Sequence, residues 1–497
     1  MTTAAFSAAP RLRPGLRSGG LWLGAGVVAG LGLAMLPPAI GLAVLALAAL
    51  ALTPFITPLA PLAALLVLAP LRALVATEAP GQMPLDFGQL GFAITLGAWL
   101  LFRLTRRRAL LPLPVSPVLF ALLPFVAVAA LTSFAADSFG AWLNEWLKWA
   151  QMAVVIVLVL DVARGRAWQW LVFALVCAGA ANAAIGIYEY FGGSGALHLL
   201  IDNRYFRAFG TFGQPNPFGG FMGLLLPLAL AAAAGWGWRW LRRIGAPHRE
   251  ARALVLAAFY IACSGLLAAG ALMSWSRGAW LGAAAGVMVL LFALPRRWWV
   301  GLVLVGVVTV GGAGSAALGL LPSSIIERVT SSFSETFSIS DVRGANITSE
   351  NYALLERLAH WQAAVNMATD NPWLGTGLGN YEATYEQYRL IAWRFPLGHA
   401  HNYYLNVLGE TGLVGLAAFA TTWALIVFYT WKARSHPDPQ AHILAAGLLG
   451  AWGYLAVHSL TDNLFVNNLF LHIGTMLGLV ALIYNQSRQR ARAMRNA

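Results

Sequence analysis

Arg296-Arg297-Trp298-Trp299-Val300-Gly301-Leu302-Val303-Leu304-Val305-Gly306-Val307-Val308 opens a stretch that runs without a charge to Leu320. A basic pair followed by such a run is the pattern of a bilayer-crossing helix, because about 20 residues at about 1.5 Å each span the hydrocarbon core. The same unit recurs along the chain. Apolar runs near 21–36, 38–52, 57–76, 87–102, 116–133, 143–161, 168–190, 213–236, 253–273, 277–294, 298–320, 402–431, 442–460 and 464–486 predict about fourteen spans, the first two short and split at Pro37-Pro38. Of the 497 residues, 59% are hydrophobic and 10% charged. The composition therefore predicts an all-α polytopic integral membrane protein, with about 12–14 transmembrane helices and one large, helical extracytoplasmic loop.

Lys and Arg set the orientation, because short loops rich in them stay cytoplasmic. Every second loop is basic: Arg11/Arg13/Arg17, Arg103/Arg106/Arg107/Arg108, Arg164/Arg166, Arg239/Arg242/Arg243/Arg249/Arg252, Arg296/Arg297, Lys432/Arg434 and Arg488/Arg490/Arg492/Arg495. The net charge of +13 is thus mainly a topology signal, and no nucleic-acid partner is expected. Five units follow: a cytoplasmic N-terminus (1–20), about eleven spans (21–320), a large outer loop (322–400), C-terminal spans (401–486) and a basic tail (487–497) in contact with anionic lipid. A second, lesser outer loop lies near 191–212. Cys177 and Cys263 fall inside predicted spans and predict no disulfide. The basic N-terminus runs into a doubled apolar stretch, which reads as an uncleaved first hairpin.

Within the large loop, Ser349 is placed to cap a helix over 350–368, whose apolar stripe is Leu354, Leu355, Leu358, Trp361, Ala364 and Val365. Asp370-Asn371-Pro372 stops it. Gly375-Thr376-Gly377-Leu378-Gly379-Asn380 lacks the Lys and Ser/Thr of a phosphate loop and reads as a turn-forming hinge.

Four stretches carry candidate chemistry, and the topology puts all four on the outer face, where positive charge is otherwise scarce. Arg204-Tyr205-Phe206-Arg207 leads through Gly210-Thr211-Phe212 to Gln214-Pro215-Asn216-Pro217; its plainer reading is a Pro/Gly helix entry with interfacial arginines. Ser276-Arg277-Gly278 places a charge in a tight reversal between two spans, where snorkelling is the plainer account. Glu356-Arg357 with Trp361 sits in the outer helix, where a surface ion pair is the alternative. Gly398-His399-Ala400-His401-Asn402-Tyr403-Tyr404-Leu405, continuing to Glu410-Thr411-Gly412-Leu413-Val414-Gly415, sets two imidazoles at a membrane surface; helix capping is the structural alternative.

Over roughly residues 200–425 these stretches, in this order and topology, resemble the superfamily of O-antigen ligases and O-antigen (Wzy-type) polymerases. The resemblance rests on the 207–216 entry, Ser276-Arg277-Gly278, Glu356-Arg357 with Trp361, and His401-Asn402 followed by Glu410-x-Gly412-x-x-Gly415. It implies a glycosyltransferase of the bacterial inner (cytoplasmic) membrane, with both termini cytoplasmic and its active site on the outer face. The expected donor is a polyprenyl-pyrophosphate-linked glycan. A lipid-A core sugar, a growing glycan or a protein hydroxyl is the acceptor, which separates ligase, polymerase and protein O-oligosaccharyltransferase. The functional set it carries over is Arg277, Arg357 and His401.

The chemistry of the residues agrees. Guanidinium groups of Arg277, Arg357 and Arg207 suit a diphosphate through bidentate, non-titrating contacts, and would stabilise the charge that develops as it departs. The acceptor hydroxyl needs a base, and His401, with a reference pKa of about 6.5, is the best match. Attack opposite the diphosphate would invert the anomeric centre. His401 is preferred to His399 because the Asn element begins there and because 401, 405 and 408 share a helical face. Glu410, nine residues on and on the opposite face, reads as a polar-network residue. Arg204, Asn216, Trp361, His399, Asn402 and Glu410 complete the candidate set. No Asp-x-Asp or His-Glu-x-x-His occurs, and His399 with His401 alone makes no metal shell, so neither metal nor cofactor is expected. A lipid-linked glycan flippase or secondary transporter is the reading from another class, though the charges gather at one face rather than at the midplane.

Overall fold

A computed structural model of the chain describes residues 38–71, 87–105, 112–193, 195–201, 204–242, 251–320, 326, 341–348 and 351–496. The described residues form sixteen α-helices. In chain order the first eight are α1 (Pro38–Leu52), α2 (Ala60–Leu68), α3 (Phe87–Thr105), α4 (Pro117–Ala121), α5 (Leu123–Leu131), α6 (Phe139–Val162), α7 (Trp168–Tyr188) and α8 (Pro215–Leu241). Then come α9 (Ala251–Met273), α10 (Arg277–Ala293), α11 (Trp298–Ala317), α12 (Tyr352–Asp370), α13 (Tyr381–Tyr388), α14 (Tyr403–Ala433), α15 (Pro439–His458) and α16 (Leu469–Asn496). One two-residue hairpin, β1 (Leu200–Ile201) with β2 (Tyr205–Phe206), is antiparallel, pairing Leu200 with Phe206.

Thirteen of the fourteen apolar runs coincide with these helices, α4 and α5 together forming one of them. The fourteenth, 21–36, lies outside the described residues, as do the N-terminal 1–20, Ser349, Glu350 and most of 322–340. Eight of the described helical stretches are long and apolar enough to cross a membrane, fewer than the sequence count. The apolar segments α1, α2 and α10 have 15, 9 and 17 residues, short of a full crossing. α6 is long enough, at 24 residues, but carries Glu145, Lys148 and Asp161. The molecule is an all-α polytopic membrane protein.

Burial grades the helices from inside to lipid. The most apolar windows of α8 and α16 are 83% buried and that of α15 78%, against 6% for α11, whose Val303, Val307 and Val310 face outward. Small residues let the inner helices meet, as membrane packing requires when lipid is as apolar as leucine. A Cβ on Gly286 of α10 would stand 2.9 Å from Gly450 O of α15, and one on Gly450 2.7 Å from Gly286 O. A Cβ on Gly223 of α8 would stand 2.1 Å from the Tyr454 ring.

α12 starts at Tyr352. Its entry is secured by Thr348 and Asn351, since Asn351 Oδ1 accepts Thr348 N–H at 2.8 Å and Thr348 Oγ1 accepts Asn351 N–H at 3.3 Å. Its buried stripe is Leu358, Ala359, His360, Trp361, Ala363, Ala364, Met367 and Ala368. Val365, assigned to that stripe from sequence, is 43% exposed: its place is taken by Met367, which touches Thr384 of α13.

The 375–380 turn is a packed clasp rather than a hinge. Thr376 N–H and Gly377 N–H donate to Gly409 O and Glu410 O, and Leu378 N–H donates to Thr132 Oγ1. Gly375, Gly377 and Gly379 have φ of 65°, 98° and 73°, and a Cβ on Gly375 would sit 2.3 Å from the Glu410 carbonyl carbon. On the other side of the clasp Gly412, at φ 65°, breaks α14 and lets Leu413 N–H reach Pro372 O at 2.8 Å. Glu410-x-Gly412 is therefore the structural fastening of the α12–α13 segment to α14.

Candidate active site

Arg207 follows β2 and is placed by a run of buried backbone contacts. Ala208 N–H donates to Met273 O at 3.0 Å, and Glu189 Oε2 accepts Phe209 N–H at 2.8 Å and Gly210 N–H at 2.7 Å. Asn182 Oδ1 takes Thr211 N–H and the Thr211 hydroxyl at 3.2 and 2.7 Å. The Arg-x-Phe-Gly-Thr pattern is thus a loop whose donors are consumed by two buried side chains of α7 and its extension. Arg207 Nε donates to Ser274 O at 3.0 Å and its Nη2 to Asn216 Oδ1 at 3.1 Å, which fixes the guanidinium. Burial, and then Arg277 beside it, draw its pKa down to about 10, so it stays charged at neutral pH.

The reversal between α9 and α10 delivers Arg277. Ser274 Oγ donates to Ala271 O at 2.6 Å and accepts Ser276 N–H at 3.2 Å, while Trp275 adopts φ 54°. The glycine after Arg277 has a steric cause: a Cβ there would stand 2.0 Å from Thr461 Oγ1. Gly278 lets the Thr461-Asp462 turn between α15 and α16 close over the start of α10.

His401 lies just before α14 rather than on it. Its φ is 52°, in the left-handed region, with Gly398 at 81° and Leu397 at 51° ahead of it. A non-glycine residue held there costs of order 1–2 kcal/mol, which the surrounding contacts must offset. They are on hand: Asn402 caps α14 by accepting Tyr404 and Leu405 N–H, Asn406 Oδ1 accepts Ala400 N–H at 3.0 Å, and Tyr403 N–H donates to Ser459 O at 2.7 Å. Trp361 of α12 reaches the His401 carbonyl at 3.5 Å. The argument from a shared helical face with 405 and 408 therefore fails, because the chain turns before the helix begins.

These segments enclose one polar cavity of about 420 Å³, lined by Arg207, Asn216, Trp275, Ser276, Arg277, Gly278, Ala353, Leu354, Glu356, Arg357, His401, Thr461 and Asp462. Three guanidiniums from three distant stretches face one imidazole across it. Burial, followed by His399, lowers the His401 pKa to about 3, with His360 and Arg357 adding and Asp462 opposing, so the ring is neutral at neutral pH. Behind it His360 is likewise drawn down to about 4 by burial and His399. Burial pushes Asp462 up, but His399, His458, His401 and the Asn463 N–H outweigh it and hold the carboxyl below its usual value.

His399, His401 and Asp462 bring ligand atoms within 4.8 Å of one another, a spacing a metal ion could bridge. The hydrogen bonding favours a different use. His401 N–H donates to His399 Nδ1 at 3.0 Å, so Nδ1 is the unprotonated nitrogen and the ring proton is on Nε2, which faces Asp462 Oδ1 at 3.3 Å. A metal at that Nε2 would require moving the proton to Nδ1 and abandoning the His401 N–H. The set is better described as a carboxylate holding an imidazole that holds the His401 backbone.

Residues 262–420 match the family model of the O-antigen ligases. The chain carries an O-antigen ligase domain. The match covers about a third of the chain and supports a glycan-processing activity of that superfamily. One solved chain, described under "Structural coordination of polymerization and crosslinking by a peptidoglycan synthase complex", aligns at 16% identity over 75% of this chain and 98% of its own, with a TM-score of 0.40. No curated protein matches the sequence.

The O-antigen ligase domain contributes Arg277, Arg357 and His401 to the cavity, while Arg207, Asn216, Thr461 and Asp462 reach it from outside 262–420. Arg204 is exposed, its guanidinium over the Tyr205 ring at 5.2 Å, and is not among the described residues that line this cavity. His399, Trp361 and Asn402 stand behind His401 as its supports. Glu410 is fully engaged in the clasp, accepting Gly379 N–H at 2.9 Å and Tyr381 N–H at 3.0 Å. Asp462 and Thr461 were missed from sequence. The available signal was a Thr461-Asp462-Asn463 turn between two predicted spans, on the same face as the other candidates.

Proposed function

We propose that the protein transfers a glycan from a polyprenyl-diphosphate donor to a hydroxyl acceptor in an O-antigen ligase-type reaction, at the outer face of the cytoplasmic membrane. The observation that carries this reading is the convergence of Arg207, Arg277 and Arg357 with His401 on one cavity at the end of the helix bundle. The orientation is supported by the opposite end, where Arg434 donates to Pro295 O, Arg296 to His436 O and Arg166 pairs with Asp438, gathering the basic loops away from the cavity.

In this reading the three guanidiniums hold the diphosphate and gain interaction as charge grows on it, which favours the transition state over the ground state. The acceptor oxygen attacks the anomeric carbon from the opposite side, the carbon–oxygen bond to the diphosphate breaks with its electron pair, and the hydroxyl proton passes to His401. The configuration inverts. A base of pKa about 3 is weak by itself. A bound diphosphate would counter the charge of Arg357 and raise the proton affinity of His401, and the attacking hydroxyl becomes strongly acidic as its new bond forms. Asp462 acts through His399, as a positioning residue.

The test is transfer by the purified protein in nanodiscs, with a polyprenyl-diphosphate glycan as donor and core-lipid, glycan and peptide acceptors offered separately. Transfer to core lipid that survives EDTA supports this proposal. Transfer only to glycan or peptide reassigns the acceptor, and donor binding without transfer to any acceptor contradicts the proposal.

A further inference from the structure

Glu356 lines the candidate cavity beside Arg357, yet the transfer chemistry gives it no part. A carboxylate among guanidiniums is expected to serve as their counter-ion. Glu356 does not: no ion pair joins it to Arg207, Arg277 or Arg357. Its hydrogen bond among the described residues comes from the Tyr352 hydroxyl, which donates to Oε1 at 3.2 Å and leaves Oε2 without a partner there. Tyr352 is set in turn by its ring contact with buried Trp393, centres 5.1 Å apart. The other acid of the cavity, Asp462, is committed to His399 and to Asn463 N–H. Glu356 is therefore an oriented carboxylate with an oxygen to spend on a ligand that the arginines do not hold.

The cavity has two unlike sides. Its floor is made where bundle helices meet the surface: Asn216 at the start of α8, Arg277 at the start of α10, and the Thr461-Asp462 turn after α15. Over it stands α12, which is not among the helices apolar enough to cross a membrane and which presents Ala353, Glu356 and Arg357 from one face. A polyprenyl-diphosphate glycan has the same order, with its tail in lipid, its diphosphate at the bundle ends and its first sugar against α12. Glu356 lies about 100° around the helix from Arg357, so a diphosphate held by the arginine leaves the sugar beside the carboxylate.

We propose that Glu356 is a specificity-determining residue that accepts hydrogen bonds from hydroxyl groups of the sugar bonded to the diphosphate, and so selects donors whose first sugar is neutral over those whose first sugar carries a carboxylate. This rests on the reading of the cavity as a polyprenyl-diphosphate glycan site. A hydroxyl donated to a carboxylate is a charge-assisted bond, whereas an acidic sugar would set two like charges together and leave the Glu356 oxygen unsatisfied. The arginines hold what every such donor shares, and Glu356 reads what differs.

The test is a titration of the full chain in nanodiscs with two polyprenyl diphosphates, one bearing a neutral hexose and the other the matching hexuronic acid. Transfer and the KM for acceptor are measured in parallel. Wild type should bind the neutral donor at least about tenfold more tightly than the acidic one. Glu356→Gln should bind the acidic donor more tightly than wild type does, a gain that misfolding cannot produce, and bring the ratio close to one. Tyr352→Phe keeps the carboxylate but frees it to turn, so its ratio should fall between the two. The KM for acceptor should stay near wild type in both variants. An unchanged donor ratio in Glu356→Gln would overturn the proposal, as would a shift in the KM for acceptor with donor binding unmoved. Selectivity that depends on Glu356 but comes without transfer supports the proposal and contradicts the transfer reading, so the two fail separately.

Discussion

Gly278→Ala is the smallest change expected to disturb the cavity. The added Cβ would stand 2.0 Å from Thr461 Oγ1 and 3.0 Å from Thr461 Cβ, whereas carbon contacts settle near 3.5–4.0 Å, roughly. Turning the Thr461 side chain relieves the first clash only by giving up its bond to His458 O at 3.0 Å, a loss of about 0.5–1.5 kcal/mol. The second clash remains, so the turn must still retreat by roughly half an ångström. Asp462 is the next residue, and its contact with His399 Nε2 is already 3.3 Å, so that retreat breaks it. The expected outcome is a stability loss of about 1–3 kcal/mol. Transfer should fall by about 10- to 100-fold, since misplacement by an ångström costs on that order. The assay is turnover in nanodiscs beside thermal unfolding, repeated with Thr461→Gly, which removes both clashing atoms. The double variant should recover, with a coupling of about 1 kcal/mol or more. Wild-type turnover by Gly278→Ala, or strictly additive losses in the double variant, would refute the steric argument.

Lysine in place of Arg207, Arg277 or Arg357 keeps the charge and loses the fork, so donor affinity should weaken by about 10- to 150-fold per site, the equivalent of about 1.5–3 kcal/mol, in a donor titration. His360 has a folded pKa of about 4 against 6.5 for the free side chain. The unfolded chain therefore takes up the proton first, and stability should fall as pH drops from about 6.5 toward 4, by at most about 1.4 kcal/mol per unit for this residue. His401 and His436 titrate in the same direction, among others, so His360→Phe should remove only part of the slope in thermal unfolding at graded pH. Glu410→Gln keeps the shape of the clasp but weakens its hold on Gly379 and Tyr381 N–H; it should cost about 1–3 kcal/mol of stability while turnover per folded molecule stays near wild type, which active-site titration separates.

The helices were legible because bilayer crossing writes itself as long apolar runs, and the 298–320 run coincides with α11 almost residue for residue. Their ability to cross was less legible, since α10 carries the same composition in a 17-residue helix that reaches only as far as its inner partners require. Arg277 and His401 stood out because a charge or an imidazole at the mouth of an apolar helix calls for a reason. Asp462 did not, because its meaning depends on Gly278 and His399, 184 and 63 residues away in the sequence, which only the closed bundle brings to it. Glu410 read as a polar-network residue, but the network itself comes from the glycine turn at 375–379, whose partners in the 132–145 region have no mark in sequence. Val365 shows the limit of the helical stripe: periodicity marks which face is apolar, while the neighbours of α12 decide which residues of it are covered.

The central claim is that His401 removes the acceptor proton. Asparagine tolerates the left-handed backbone that position 401 requires and has no basic nitrogen, so His401→Asn keeps the fold of the segment and removes only the base. Measured in nanodiscs beside a donor titration, this variant should bind the polyprenyl-diphosphate donor within about twofold of wild type and transfer its glycan about 10²- to 10⁴-fold more slowly. Transfer at the wild-type rate by His401→Asn would contradict the account.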